Sequence, residues 1–297
     1  MEKYVSVIIP VYKDWYRLAL CVNALSLQSY GYQNFEIIIV NNCPDDEVPV
    51  GFYIPQNCFV IKEAKPGSYA ARNTGIKAAT GEILAFTDSD CIPDSNWIRN
   101  AVTAFHNNPK YSRIAGRIKL YYTSDSLNRA ELYEKVYAFN QDIYVKRDGT
   151  GVTANLFTYS NVVATVGPFN DSLMSGGDYE WSVRANKAGF GIMYGEDIVV
   201  RHPARNDMAE LISKAKRVGG GQAGFAANSK KSRLQSVIKF IYDLRPPVKS
   251  LVLVISKGKD LRLMQKLNIC YTRYYLTVIT AYEKLKINLG RGTAQRT

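Results

Sequence analysis

Apolar positions in the first hundred residues follow two alternating periods. Residues 5–11, 35–40, 58–61 and 83–87 are short runs rich in Val, Ile and Phe, the pattern of strands buried on both faces. Between them the apolar residues return at helical spacing. Residues 15–27 set Leu18, Cys21, Val22 and Leu25 on one stripe; residues 69–79 do so with Ala71, Gly75 and Ala78, and residues 97–105 with Ile98, Ala101, Val102 and Phe105. Strand alternating with helix predicts parallel pairing and an α/β fold, a Rossmann-like, doubly wound and mostly parallel sheet. Such sheets bind ligands beyond the carboxyl ends of their strands, so chemistry is expected at residues 10–13, 41–46, 65–73 and 88–91.

The pattern then changes twice. Residues 113–122 read as a strand, 127–140 as a helix, and a further helix starts near Asp178 and stops at Gly189. Asp207 and Glu210 have capping-box spacing and open a helix through residue 218, which the run Gly219-Gly220-Gly221 is expected to end. The expected division is a main domain at 1–218, in halves at about 1–112 and about 113–218, followed by a helical appendage at 219–297.

Charge sharpens that division. The chain of 297 residues carries a net charge of +12, but residues 1–200 hold 18 Lys and Arg against 21 Asp and Glu, and residues 201–297 hold 20 against 5. Between Lys230 and Lys286 the cations interleave with Phe, Tyr, Leu and Ile, a composition that suits an anionic membrane surface. Packing on the main domain, or on a second copy in a homo-oligomer, uses the same composition. Nucleic acid is not the expected partner, because neither a zinc-finger pattern nor an RNA-binding signature is present. The five Cys are scattered without CxxC spacing, so neither a disulfide framework nor a zinc cluster is implied, and a reducing cytosol is the simplest compartment. No basic n-region followed by an apolar h-region opens the sequence, so a cleaved signal is not expected, and no uncharged apolar run reaches about 18 residues. A peripheral place on the inner face of the cell membrane is the resulting expectation.

The sharpest chemical signal is Thr87-Asp88-Ser89-Asp90, where an apolar strand runs into two carboxylates one residue apart. Such a pair can converge on a hard cation; two acids solvating a strand-to-helix turn is the plainer alternative. Gly176-Gly177-Asp178-Tyr179-Glu180-Trp181 places two acids at a helix start, which fits catalysis and simple capping alike. His202, in Arg201-His202-Pro203-Ala204-Arg205, is one of two His; the other, His106 at the end of a helix, reads as a packing or surface residue rather than a ligand.

The order of the pieces is more specific than any one of them. Ser6-Val7-Ile8-Ile9-Pro10-Val11-Tyr12, then Lys65-Pro66-Gly67-Ser68-Tyr69-Ala70-Ala71-Arg72-Asn73-Thr74-Gly75, then residues 81–90, then the Gly-Gly-Asp-x-Glu-Trp and His-Pro-Ala-Arg segments, resemble glycosyltransferase family 2 with its GT-A fold over about residues 4–217. The resemblance implies an inverting, metal-dependent glycosyltransferase. The donor is a nucleotide-diphosphate sugar, a UDP-sugar first, and the acceptor a glycan or lipid-linked hydroxyl in surface polysaccharide or glycoconjugate synthesis. It implies that Pro10, Val11 and Tyr12, with Asn41 and Asn42, line the base, while Lys65, Arg72 and Asn73 lie against nucleotide or phosphate. Asp88 and Ser89 face the ribose and sugar, and Asp90 with His202 holds Mn²⁺ or Mg²⁺. Asp178 takes the position of the catalytic base, with Gly176, Gly177, Glu180, Trp181 and Arg205 on the acceptor side, although the aromatic spacing of Trp181 also fits a core. Two departures stand out. Asn41-Asn42 replaces the family's usual acid pair after the second strand, and Gly177 stands where an acid often precedes the base.

Two other readings share parts of this pattern. A sugar nucleotidyltransferase needs a Gly-rich loop after the first strand, where this chain has Pro10-Val11-Tyr12-Lys13-Asp14 without a glycine. A non-catalytic nucleotide-sugar or polysaccharide binding module keeps the donor pocket but has no need of Asp178.

Overall fold

A computed structural model describes residues 3–226 and 233–292; Lys230, where the basic stretch begins, lies outside the described residues. The first elements are β1 (Val5–Val11), α1 (Trp15–Ser26), β2 (Phe35–Asn41), β3 (Cys58–Lys62), α2 (Ser68–Ala78), β4 (Ile83–Thr87), β5 (Ile92–Pro93), α3 (Trp97–Asn107) and β6 (Arg113–Tyr121). There follow α4 (Arg129–Tyr137), α5 (Gln141–Asp148), β7 (Asn155–Tyr159), α6 (Ser160–Val166), α7 (Gly177–Lys187) and β8 (Ile192–Pro203). The chain continues in α8 (Met208–Ala226), α9 (Arg233–Asp243), α10 (Leu251–Lys257) and α11 (Leu263–Asn288). They gather into two compact units. The first comprises Met1–Lys119, Phe139–Ser172 and Gly177–Pro203, the second Leu120–Ala138, Leu173–Gly176 and Ala204–Thr297.

The first unit is built on a sheet of order β3-β2-β1-β4-β7-β6-β8-β5. β3, β2, β1 and β4 are mutually parallel, with Val5 opposite both Phe35 and Ile83; β7 runs antiparallel to β4 and β6. The expected α/β sheet is therefore present, with an antiparallel extension. Its inner strands have both faces covered, which explains their unbroken apolar runs. Val7, Ile9, Ile37 and Ile39 share a core with Leu18, Cys21 and Leu25 of α1. On α2, Gly75 permits close packing, since a Cβ there would lie 2.5 Å from Ile8 Cγ2. Chain order reverses at β1 and β4, so the crevice expected of such sheets opens at their carboxyl ends.

One buried amide locks the antiparallel half. Asn155 accepts from Trp97 Nε1 (2.9 Å) and donates to the carbonyls of Arg117 and Ile198 (2.9 Å each), tying β7 to β6 and β8. Gly116 beside it has no room for a side chain: a Cβ would sit 2.4 Å from Asn155 Nδ2.

Two expected helices differ from the structure. The helix expected at 127–140 ends at Tyr137, and a second begins at Gln141. Between them Phe139 takes a left-handed φ of 49°, and buried Gln141 turns its amide onto the carbonyls of Gly116 and Asn155. Tertiary hydrogen bonds override the helical pattern there. The glycine run does not terminate α8, which continues to Ala226. A Cβ at Gly219 would lie 2.6 Å from the carbonyl of Thr280 in α11, and one at Gly221 2.5 Å from that of Ser175, so these glycines serve close approach within a helix. The boundary expected at 218/219 thus falls inside α8.

The second unit is helical. Ala130, Tyr133, Leu211, Ala215 and Leu276 form one apolar cluster, and Leu132, Val136, Val254, Leu261 and Ile269 another. Glu134, fully buried, accepts from Arg205 (3.2 Å) and Lys214 (3.1 Å). These cations hold its carboxyl below the ordinary range despite burial, while burial and the Arg205 charge bring the Lys214 ammonium down to about 8. Among the described residues no helix is long and apolar enough to cross a membrane.

Candidate active site

β4 delivers its final residue, Thr87, into the core, where Thr87 Oγ1 donates to the Ala154 carbonyl (3.1 Å), and the chain emerges with Asp88, Ser89 and Asp90. Two residues on, β5 pairs antiparallel with β8 through Ile92↔Arg201 and Pro93↔Val200. That register brings His202 beside Asp90, with His202 Nε2 3.3 Å from Asp90 Oδ2. The His202 ring is buried, packs on Phe139 at 4.4 Å between centroids, and has Nδ1 2.7 Å from the Pro203 carbonyl. His202 Nε2 and the Asp90 carboxylate thus face each other, and both are atom types that can ligate a cation. Cys91 Sγ completes a group whose ligand atoms lie within 4.8 Å of one another. Burial pushes its thiol up, however, and Sγ donates to the Ala154 carbonyl, so oxygen and imidazole nitrogen remain as the donors suited to Mn²⁺ or Mg²⁺.

A second constellation adjoins Asp88. Arg72, buried on the first turns of α2, donates through NH2 to Asp88 Oδ1, and its Nε has no hydrogen-bond partner among the described residues. One turn earlier, Tyr69 lies against the Arg72 guanidinium at 5.7 Å and donates its hydroxyl to Asp178 Oδ1 (3.2 Å). The same oxygen accepts from the Tyr179 backbone N–H (2.9 Å). Burial pushes the Asp178 carboxyl above 3.8, against the opposing pull of the Tyr179 N–H, Arg72 and Tyr69, and the Asp88 charge adds to the rise. Gly177 makes this approach feasible, because a Cβ there would lie 2.7 Å from the Tyr69 ring. An acid in its place would displace the ring.

Several expected ligand residues have structural employment. Asn41 accepts from Cys43 N and donates to the Asp46 carbonyl, building its own turn. Asn42 donates to the carbonyls of Glu63 and Lys65 and accepts from Gly67 N, which fastens the end of β2 to the loop before α2. Asn73 exchanges two hydrogen bonds with the backbone of Phe169. The family resemblance implied these amides as nucleotide contacts; in the structure each also holds backbone in place. Trp181 is core: fully buried, it stacks near Phe169 and donates Nε1 to the Gly167 carbonyl. Glu180 is held by Arg184 at 2.7 Å one turn on. Arg205 and Gly176 belong to the second unit, the first on Glu134 and the second with a φ of +80° that favours glycine.

The other expected positions differ in exposure. Pro10 is half-buried and Val11 buried at the end of β1; Tyr12 is exposed, followed by Lys13 with a left-handed φ of 55°. Lys65 reaches Asp171 at 2.8 Å, and Ser89 is half-buried. His106 is exposed, as a surface residue should be. Tyr69 and Glu134 were not foreseen. The i, i+3 spacing of Tyr69 and Arg72 carried a signal, since it puts both on one helix face. Glu134 carried none, because its cations come from 71 and 80 residues away.

Comparisons with known proteins place the chain in a family. The family model described as Glycosyl transferase family 2 matches residues 6–164. The chain is 35% identical over 224 residues to glycosyltransferase AglE of Haloferax volcanii, covering 74% of this chain and 73% of that protein. It is 25% identical over 266 residues to the pre-mycofactocin glycosyltransferase of Mycobacterium tuberculosis, covering 86% of this chain but 50% of the relative. Among solved structures, a mannosyltransferase from Pyrobaculum calidifontis in complex with GDP-Man and Mn²⁺ aligns over 99% of this chain and 77% of its own, with a TM-score of 0.55 and 17% identity. That likeness bears on the fold.

Proposed function

The chain belongs to glycosyl transferase family 2, and from that premise we propose inverting transfer of a sugar from a nucleotide-diphosphate sugar, a UDP-sugar first, to a hydroxyl of a glycan or lipid-linked acceptor. Glycosyl transfer from nucleotide sugars follows from the family; the stereochemistry, the nucleotide and the acceptor are the proposal. The product is a growing surface polysaccharide or glycoconjugate, made at the cytoplasmic face of a membrane to which the basic helices attach.

The observation that carries the reading is the division of labour between two carboxylate systems. Asp178 is held in place by Tyr69 and has its proton affinity raised by desolvation, while Asp90 faces His202. A carboxylate of raised pKa is a better base for a weakly acidic alcohol. In the proposed step the Asp178 carboxylate takes the acceptor's hydroxyl proton while that oxygen bonds to the anomeric carbon. The bond from that carbon to the diphosphate oxygen breaks, its electron pair leaving with the nucleoside diphosphate. Attack from the face opposite the leaving group inverts the centre. Asp90 Oδ2 and His202 Nε2 are the atoms that would hold Mn²⁺ or Mg²⁺, which when bound supplies positive charge for the departing diphosphate. Arg72 orients Asp88, and its buried Nε is a donor suited to a phosphate oxygen.

The test is a pair of variants assayed for both binding and turnover. Asp178→Asn is expected to bind the donor nucleotide normally and to lower kcat by about 10²- to 10⁴-fold, the range for a lost general base; undiminished transfer overturns the assignment. Asp90→Ala is expected to abolish the Mn²⁺ dependence of nucleotide binding in calorimetry, and affinities unchanged with and without Mn²⁺ remove the metal from the reading. Anomeric proton couplings of the product report inversion or retention directly.

A further inference from the structure

In α9 the usual orientation of an amphipathic helix is reversed. Leu234, Val237, Ile238, Ile241 and Tyr242 recur at helical spacing and are 39–69% exposed. Part of its polar side is turned inward, while Arg233 and Gln235 are exposed. Ser236 is 3% exposed, and Asp243 takes Lys239 at 2.6 Å and Lys284 of α11 at 3.0 Å. The same outward display continues on α10, where Val252 and Ile255 are 65% and 68% exposed, and at the start of α11, where Leu263 and Met264 are 74% and 70% exposed. A water-soluble surface rarely leaves apolar stripes uncovered on three helices in succession.

The charge around these stripes identifies what covers them. Around them Arg245, Lys259 and Arg262 are exposed, and the one acid between residues 244 and 282, Asp260, is already paired with Lys135. A symmetric contact with a second copy would set this cationic surface against itself, whereas a bilayer of anionic lipids offers both an apolar interior for the stripes and negative headgroups for the cations. No helix among the described residues is apolar enough to span, so the helices would lie in the interface plane.

We propose that the outward apolar stripes of α9, α10 and the first turns of α11 insert into the headgroup boundary of an anionic phospholipid bilayer. This rests on the membrane attachment included in the proposed function and names the surface that makes it. Side chains of α9 would enter the lipid while Arg245, Lys259 and Arg262 meet the headgroups.

The test uses the full chain and vesicles of phosphatidylcholine with and without phosphatidylglycerol, read by flotation. Wild type is expected to float with the phosphatidylglycerol vesicles at low salt and to be released at high salt. Ile238→Glu combined with Ile241→Glu is expected to reduce partitioning by about tenfold or more while circular dichroism is unchanged. A single Ile241→Trp variant supplies a gain-of-signal readout, a blue-shifted emission quenched by brominated lipid. Failure of wild type to float, equal flotation of the double Glu variant, or an Ile241→Trp emission unmoved by vesicles overturns the proposal. So does a dimer that the Glu pair converts to monomer without any vesicle binding, which would make the surface an interface between copies. Asp178→Asn separates this idea from the catalytic one: it should float like wild type whatever its turnover.

Discussion

The two compact units treat polar and apolar side chains in opposite ways. In the first, apolar residues are hidden between sheet and helices, and charged groups collect at the ends of strands, where Asp88, Asp90 and His202 remain partly accessible or linked to groups that are. In the second, a charged cluster is buried, Glu134 between Arg205 and Lys214, while apolar stripes of α9 and α10 face outward. The contrast separates two uses of the same chemistry. Asp178, a half-buried carboxylate, has its proton affinity raised by desolvation; Glu134, a fully buried carboxylate saturated by cations, is equipped to stay charged and hold helices together.

The comparison breaks most visibly at Glu134. Glu134→Gln leaves two cations around an uncharged amide and should cost about 3–5 kcal/mol, read as a fall in unfolding free energy of the full chain in urea. A loss under about 1 kcal/mol would mean the cluster is as replaceable as a surface ion pair. The next effect is at Tyr69. Tyr69→Phe keeps the ring under Arg72 but removes a hydrogen bond that lowers the Asp178 pKa, so the acid limb of the kcat/KM profile should move to higher pH. The accompanying loss in kcat should be about fivefold, equivalent to about 1 kcal/mol for one hydrogen bond. A profile that falls in height without moving would show Tyr69 to be structural only.

The smallest expected effect is a gain in stability. Because folding raises the Asp178 pKa, protonated carboxyl costs nothing below 3.8, but as pH rises the unfolded chain ionises first and the folded state loses stability up to its own higher pKa. Asp178→Asn removes that penalty. Its Tm should exceed that of wild type at pH 7 and converge with it near pH 3; a lower Tm at pH 7 would mean that the hydrogen bonds to the carboxylate outweigh its burial.

Much of the first unit was legible in one dimension. The strands at 5–11 and 83–87 and the stop at Gly189, with its φ of +86°, follow from local steric and periodic rules, and the i, i+2 acids were visible at the end of a strand. Less legible was the work of Asn41, Asn42 and Asn73, whose amides hydrogen-bond backbone, and the course of α8 through three glycines, which depends on how closely α11 approaches.

The residue pattern by itself determined the alternation of strand and helix, the mostly parallel sheet, the identity of Asp88, Asp90 and Asp178 as candidate chemistry, and the concentration of positive charge after residue 200. These rest on spacing and on charge, which are properties of neighbours along the chain. Only the tertiary structure decided that His202 meets Asp90, that Tyr69 holds Asp178 through a space left by Gly177, and that the apolar side of α9 points outward. Each of those depends on a contact, or on the lack of one, between residues far apart in sequence, and no local period encodes which distant surface a side chain will face.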